Sequence, residues 1–308
     1  MISYKKLFLM MEENEITKEK LKKETGISSA TIAKLSKNEE VSMSTIQSIC
    51  DFFDCQPGAI LSYEKDLNEN SILYKLKEEK EMKLKGGLYH QTQVRLAYNS
   101  NHMEGSRLTE DQTRSIYETQ TIGITDGNEK VDDIIETVNH FRCFDYMLSV
   151  ADKELSEDII KHIHLILKSG TTDSQKEWFA VGEYKKRPNM IGDLVETTHP
   201  SKVHDEIIKL LKDYRENSNV TFEDIIDFHY RFERIHPFQD GNGRVGRLIM
   251  FKECLKNNIP PFIIEDTAKE YYRRGLKEYH EEKGYLLDTC RASQDAYKKL
   301  LRYFEYIS

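Results

Sequence analysis

Apolar residues recur along this chain mostly at three-to-four spacing, and only six prolines interrupt them. That pattern predicts a nearly all-helical protein. Residues 1–65 read as one unit of short helices, and the polar stretch Asp66–Ser71 reads as a hinge. A helix is expected from about Ser71 to Lys85, ended by Gly86-Gly87. The next carries Leu88, Val94, Leu96 and Ala97 and runs toward Gly105. The stretch from Gly182 to Pro200 breaks the helical period. Pro188, Gly192 and Pro200 stand there among the β-favouring Ile191, Val195, Thr197 and Thr198, which predicts a short hairpin projecting from a helical body. Helices resume at Thr221. One ends near Ile235, because Pro237 disfavours a helical His236. Another begins near Gly243 and carries Leu248, Ile249, Phe251 and Leu255.

The 308 residues are enough for two domains and a sizeable core. Hydrophobic content of 38% with 32% charged residues fits a globular protein. A net charge of −8 argues against a general polyanion binder. Five cysteines, an odd number without a CxxC pair, favour buried thiols in a reducing compartment. The apolar run Leu7–Met11 is too short for a signal-peptide core or a membrane span, and no later stretch does better. The expectation is a cytoplasmic protein without a membrane partner.

Within residues 1–65, Thr17–Thr25 reads as a short helix, with Thr17 as its cap and Ile16 as a staple. Gly26 makes a turn, and Ser28–Lys37 reads as a second helix. Ala30, Ala33, Ile32 and Leu35 suit a tightly crossed pair. This order resembles the helix-turn-helix of Cro/repressor-like regulators. By that resemblance Ser28, Ser29, Thr31 and Lys34 would face DNA. The charge tempers this: nine lysines, no arginine and ten acidic residues leave a net of −1. A small bundle for protein contact or autoinhibition is the other reading.

The segment richest in chemistry is His236-Pro-Phe-Gln-Asp-Gly-Asn-Gly-Arg-Val-Gly-Arg247. Gly241 and Gly243 allow a tight loop whose amides converge into an anion nest, and the following helix aims its N-terminal dipole there. Arg244 and Arg247 add donors for phosphate oxygens. Asp240 supplies a hard carboxylate suited to Mg2+, and His236 an imidazole of ordinary pKa as a base. Gly241-x-Gly243-x-x-Gly246 also fits the dinucleotide fingerprint, but a helix-like run rather than a strand precedes it.

This string resembles the signature of Fic-family proteins at every defined position, and the resemblance extends loosely over about residues 72–300. It implies an all-α fold: a helical Fic core with a short β-hairpin flap, preceded by the helix-turn-helix unit. The expected divisions are residues 1–65, a linker and inhibitory helix over 66–105, and a catalytic domain over 106–308 with its flap near 182–200. The implied activity is transfer of AMP from ATP to a Ser, Thr or Tyr hydroxyl of a target protein. His236 would be the base and Asp240 would hold Mg2+. Gly241, Asn242, Gly243, Arg244, Val245, Gly246 and Arg247 would surround the phosphates. Met190, Ile191, Gly192 and Asp193 of the flap would line the site. Tyr272 falls where the family places a residue near the nucleoside; a core tyrosine is the other reading. Lys185 stands where the family has arginine.

Ser100-Asn-His-Met-Glu104-Gly105 resembles the family's inhibitory motif on a helix preceding the loop. That resemblance implies that Glu104 pairs with Arg247 and denies it to the γ-phosphate, with Ser100 one turn earlier in support. An ordinary helix end is the competing reading. Some relatives also remove AMP, and many self-associate, though no interface stripe stands out here. The other functional reading is a DNA-binding transcriptional regulator whose Fic core senses nucleotide. His162 and His164 point apart on a helix and read as surface or core histidines, and His229 as a support beneath the loop.

Overall fold

The computed structural model describes residues 2–63, 71–123, 129–191 and 195–307. Gly192 and Asp193 of the expected flap, and most of the expected hinge, lie outside the described residues. The chain divides into two compact units, Met1–Asn68 and Glu69–Ser308.

The first unit runs β1 (Ile2–Ser3), α1 (Lys5–Glu13), α2 (Lys18–Thr25), α3 (Ser29–Ser36), α4 (Met43–Phe53), α5 (Pro57–Ile60) and β2 (Ser62–Tyr63). Three of its helices open on hydroxyl caps: Thr17, Ser28 and Ser42 each accept the N–H three residues on. Gly26 takes the left-handed conformation, φ 73°, that turns α2 into α3. Tyr4, Leu7, Met11, Leu21, Ile32, Leu35, Ile46, Ile49 and Ile60 form its core. Ala30 and Ala33 are exposed, so the expected tight crossing through small residues is replaced by packing of Ile32 and Leu35. β1 and β2 pair antiparallel, Ile2 opposite Tyr63.

The second unit begins with α6 (Ile72–Met82), α7 (Leu88–Met103), α8 (Glu110–Thr119), α9 (Val131–Ser149) and α10 (Glu157–Lys168). The hairpin β3 (Met190–Ile191) and β4 (Val195–Glu196) follows, Met190 opposite Glu196. Then come α11 (Pro200–Arg215), α12 (Phe222–Ile235), α13 (Asn242–Lys256), α14 (Lys269–Glu278) and α15 (Gly284–Tyr303). α6 stops three residues before the expected Lys85, because Lys83 itself adopts the left-handed cap at φ 52°. Gly87 serves another purpose. The carboxylate of Glu79 reaches across it to accept the Tyr89 N–H at 2.7 Å and so caps α7. A Cβ on Gly87 would lie 2.6 Å from that carboxylate.

α13 is the axle of this unit. It packs on α12, α9, α10, α7 and α6, and its Val245, Leu248, Ile249, Met250, Phe251, Cys254 and Leu255 are all buried. A helix enclosed on every side needs no polar face, which explains its lack of amphipathic pattern. The site therefore rests on the most deeply packed element of the fold. No helix among the described residues is long and apolar enough to cross a membrane.

Three histidines are enclosed in this packing: His140, His164 and His229, each with its pKa lowered to about 3, first by burial. Both ring nitrogens of His140 lack a partner, and the Arg244 and Arg247 charges add to the depression. The unfolded chain takes up a proton near pH 6.5 that folded His140 refuses until about pH 3. Its contribution to stability is therefore complete above pH 6.5 and declines as pH falls toward 3. At pH 5 the loss is about 2 kcal/mol at ~1.4 kcal/mol per unit. His140→Leu should melt closer to its neutral-pH temperature at pH 5 than the parent does; equal acid sensitivity counts against the assignment. Separately, Leu7→Ala should destabilise the first unit by ~2–5 kcal/mol. Hydrogen exchange in urea should show residues 1–63 opening early while α9 and α13 keep their protection; a common loss refutes independent cores.

Candidate active site

The loop between α12 and α13 is shaped by two left-handed residues. His236 closes α12 at φ 52°, and Gly241 opens α13 at φ 82°. A side chain at Gly241 would be strained by that φ and would press on Leu167, 3.3 Å away. Asn242 stitches the loop internally: Oδ1 accepts the Phe238 N–H at 2.8 Å and Nδ2 donates to the Phe238 carbonyl at 2.9 Å. Its side chain is thereby spent on the loop's shape and only its backbone faces outward. Val245 is fully buried in the core. Gly246 faces Glu233 and His229, with room for no Cβ, since one would lie 2.7 Å from Glu233 Oε1. Neither residue fronts the loop's open side, contrary to the sequence expectation for both.

Arg247 meets the end of α7. Its Nε donates to Ser100 Oγ at 3.0 Å, and its Nη2 donates to the Ser100 carbonyl at 2.9 Å and to Glu104 Oε1 at 2.7 Å. Ser100 thus grips the arginine directly rather than supporting the glutamate. Glu104 caps the C-terminal end of α7, the wrong pole of that helix for a carboxylate. It lies instead over the first turn of α13, so close that a Cβ on Gly243 would fall 2.2 Å from Oε1. Burial pushes its pKa up, but Arg247 and then Arg244 overcome this and hold it below the usual range. The carboxylate sits where the anion nest of the loop was expected.

Asp240 and Arg244 enter a closed ring of alternating charges. Arg244 Nη2 and Lys168 Nζ donate to the same Asp240 Oδ2, at 3.0 and 2.7 Å. On the far side Glu136 accepts from both cations, from Lys168 at 2.5 Å through Oε1 and from Arg244 through Oε2. Asp173 takes the third ammonium proton of Lys168 at 3.1 Å. Desolvation opposes ionisation of Asp240, yet Arg244 and Lys168 hold its pKa well below the carboxylate range. The Asp240 side chain remains 48% exposed. No group of three metal-binding side chains occurs among the described residues. A divalent ion here would rest on one carboxylate and complete its shell with phosphate oxygens and water, as Mg2+ does in nucleotide sites.

The flap base is pinned to the loop by a residue pair absent from the signature. Lys185 is buried, and its Nζ donates to Asn189 Oδ1 at 2.7 Å and Thr197 Oγ1 at 2.6 Å, while its N–H donates to the Pro237 carbonyl at 2.8 Å. Asn189 Nδ2 donates to the Phe238 carbonyl at 3.1 Å. Burial lowers the Lys185 pKa to about 8. Burial and the Lys185 charge lower His236 to about 4, against a polar contact with the Glu233 backbone. The ordinary pKa expected from sequence is thus corrected: this imidazole is neutral throughout the physiological range. Its Nδ1 is shielded from solvent, which leaves Nε2 as the available base.

Beneath the loop, His164 stacks on Phe238 with centroids 3.9 Å apart. Its Nδ1 accepts the Gly182 N–H at 2.9 Å, which fixes the proton on Nε2, 3.1 Å from the Asp240 carbonyl. His162 is exposed. Tyr272 is buried with its hydroxyl on His229 Nε2, in the position of a core tyrosine under Arg247. Met190 is half exposed at the flap edge. Of the residues that sequence reasoning missed, Lys168, Glu136, His164 and Asn189 carry no local motif; only the fold brings them to the loop. In the first unit Ser28, Ser29 and Lys34 are exposed and Thr31 half-buried, with the Ser28 and Thr31 hydroxyls bonded to each other at 2.9 Å.

Comparison with known proteins agrees with this geometry. Residues 154–254 match the Fic/DOC family model, and residues 6–66 match that of the Cro/C1-type helix-turn-helix DNA-binding domain. The chain is 25% identical over 193 residues to the protein adenylyltransferase fic-1 of Caenorhabditis elegans, covering 60% of this chain and 36% of that one. It is 26% identical over 195 residues to the protein adenylyltransferase Fic of Drosophila mojavensis, again covering 36% of it. The chain thus spans about a third of the length of these curated relatives. Among solved structures, a Fic-domain-containing signalling protein from Bacteroides thetaiotaomicron superposes with a TM-score of 0.57 at 25% identity, over 75% of this chain and 90% of that one. Fic-1 of C. elegans superposes at 0.58 with 19% identity, over 75% and 70%, a likeness of fold. The chain therefore joins a Cro/C1-type helix-turn-helix segment to a helical unit of the Fic/DOC family.

Proposed function

We propose that this protein is a nucleotidyltransferase that moves AMP from ATP to a Ser, Thr or Tyr hydroxyl of a target protein, and that Glu104 restrains it. The observation that carries the reading is the Glu104–Arg247 contact, made over Gly243 where a phosphate group would otherwise meet the first turn of α13. The named activity of the matched relatives supports the class of reaction.

In this reading His236 Nε2 takes the proton of the target hydroxyl. The freed oxygen bonds to the α-phosphorus of ATP, the bond to the bridging oxygen breaks, and pyrophosphate leaves. Gly243 amide, Arg244 and, once Glu104 withdraws, Arg247 face the phosphates. Asp240 would hold Mg2+, which supplies charge neutralisation to the triphosphate when bound. Met190 at the flap edge lies beside an open strand that a target segment can join. The shielded, neutral His236 needs no deprotonation at pH 7 to act as a base. The same site, with Glu104 orienting a water, would also serve removal of AMP.

A second role is proposed for the first unit: the match over residues 6–66 and the exposed Ser29 and Lys34 of α3 support DNA binding. The acidic balance of the unit restricts this to a specific site.

Glu104→Gly should raise incorporation of α-labelled ATP into protein by about tenfold or more, the release of ~1.4 kcal/mol or more of competing interaction. In that background His236→Ala should lower incorporation by ~10²–10⁴-fold with an unchanged melting temperature. Equal labelling in all three proteins refutes the reading. For the first unit, a gel-shift titration on DNA upstream of the protein's own coding region should give a shift that weakens with salt; a shift indifferent to salt, or none, excludes it.

A further inference from the structure

The charge ring beneath the loop has two members inside the signature, Asp240 and Arg244, and two far outside it, Glu136 on α9 and Lys168 at the end of α10. The inner pair faces the reaction. The outer pair is nearly out of reach of solvent, Lys168 at 2% exposure and Glu136 at 14%. Building a buried lysine and arginine against carboxylates carries a desolvation cost that well-packed apolar residues would avoid, so the ring is not explained by stability alone.

Its geometry is specific. An ammonium has three donors, and Lys168 gives one each to Glu136, Asp173 and Asp240. Glu136 spends one oxygen on Lys168 and the other on Arg244. Both cations then converge on a single oxygen of Asp240, Oδ2, and neither engages Oδ1. The carboxylate is thus held by one oxygen from below, with its plane set by two rigid helices. We propose that Lys168 and Glu136 are positioning residues, which orient Asp240 and Arg244 so that Asp240 presents Oδ1 to the divalent ion of the nucleotide complex. The inference rests on the proposed function, which makes Asp240 the metal-holding group.

Two variants separate positioning from simple charge. Lys168→Met removes a positive charge beside Asp240, so screening alone predicts tighter divalent binding. Glu136→Gln removes a negative charge, so screening alone predicts weaker binding. Positioning predicts that both weaken it, because each cuts the ring. It also predicts that the double variant, which restores charge balance, is weakened less than the two effects combined.

The experiment is a titration of the full chain, in the Glu104→Gly background, with Mn2+ and a non-hydrolysable ATP analogue, following free Mn2+ by electron paramagnetic resonance. The expected result is a rise of about tenfold in the Mn2+ dissociation constant for each single variant, with non-additivity in the double, and partial recovery in Lys168→Arg. Opposite shifts, or no shift, overturn the inference. If Lys168→Met fails to fold, Glu136→Gln and the double variant still decide it: additive recovery of parental affinity in the double marks screening. Failure of the Glu104→Gly parent itself to bind the metal–nucleotide pair marks instead the failure of the underlying functional reading.

Discussion

A guanidinium can hold one anion fork at a time, and the organisation of the second unit follows from which anion Arg247 holds. Its Nε and Nη2 are committed to Ser100 and Glu104 of α7. The arginine stands on α13, the most enclosed helix, and cannot move to find another partner. Any competing phosphate must come to it and displace the carboxylate. Glu104 is the movable side of the pair: about a third of its side chain is exposed, it ends a helix, and Gly105 follows at φ 96°. The balance between anions is thereby placed at the end of α7, where one residue's conformation decides it.

The rest of the site is arranged around that fixed helix. The loop before α13 is shaped by its own Asn242 and by the left-handed His236 and Gly241. From below, His164 and the Lys168–Glu136 pair hold the Asp240 backbone and side chain. From the flap side, Lys185 and Asn189 bind the loop carbonyls. Three different elements thus fix one loop, which matches the demand that a transfer site be pre-organised rather than assembled by substrate.

Much of this was legible in the sequence because its signals are local. The hairpin at β3–β4, the end of α12 before Pro237 and the turn at Gly26 each follow from one or two residues with restricted backbone freedom. The Glu104–Arg247 pair, 143 residues apart, was legible only through resemblance to a family. What sequence could not supply is what burial does. Nothing local marks His236 as an imidazole with its pKa lowered to about 4, since the cause is enclosure and the ammonium of Lys185. Lys168 and Glu136 read as ordinary charged residues on helices; only the packing of α9 and α10 on α13 turns them inward. Val245, Gly246 and the Asn242 side chain were placed among the phosphate contacts because they share the signature, whereas helical geometry turns them to the interior.

The central claim is that Glu104 and a terminal phosphate compete for Arg247. Calorimetric titration of ATP and ADP into the parent and into Glu104→Gly isolates that competition, because the two ligands differ by the γ-phosphate alone. The account predicts that the parent hardly distinguishes them, and that Glu104→Gly prefers ATP by about tenfold or more, ~1.4 kcal/mol. An ATP-to-ADP preference left unchanged by removal of the glutamate would contradict it.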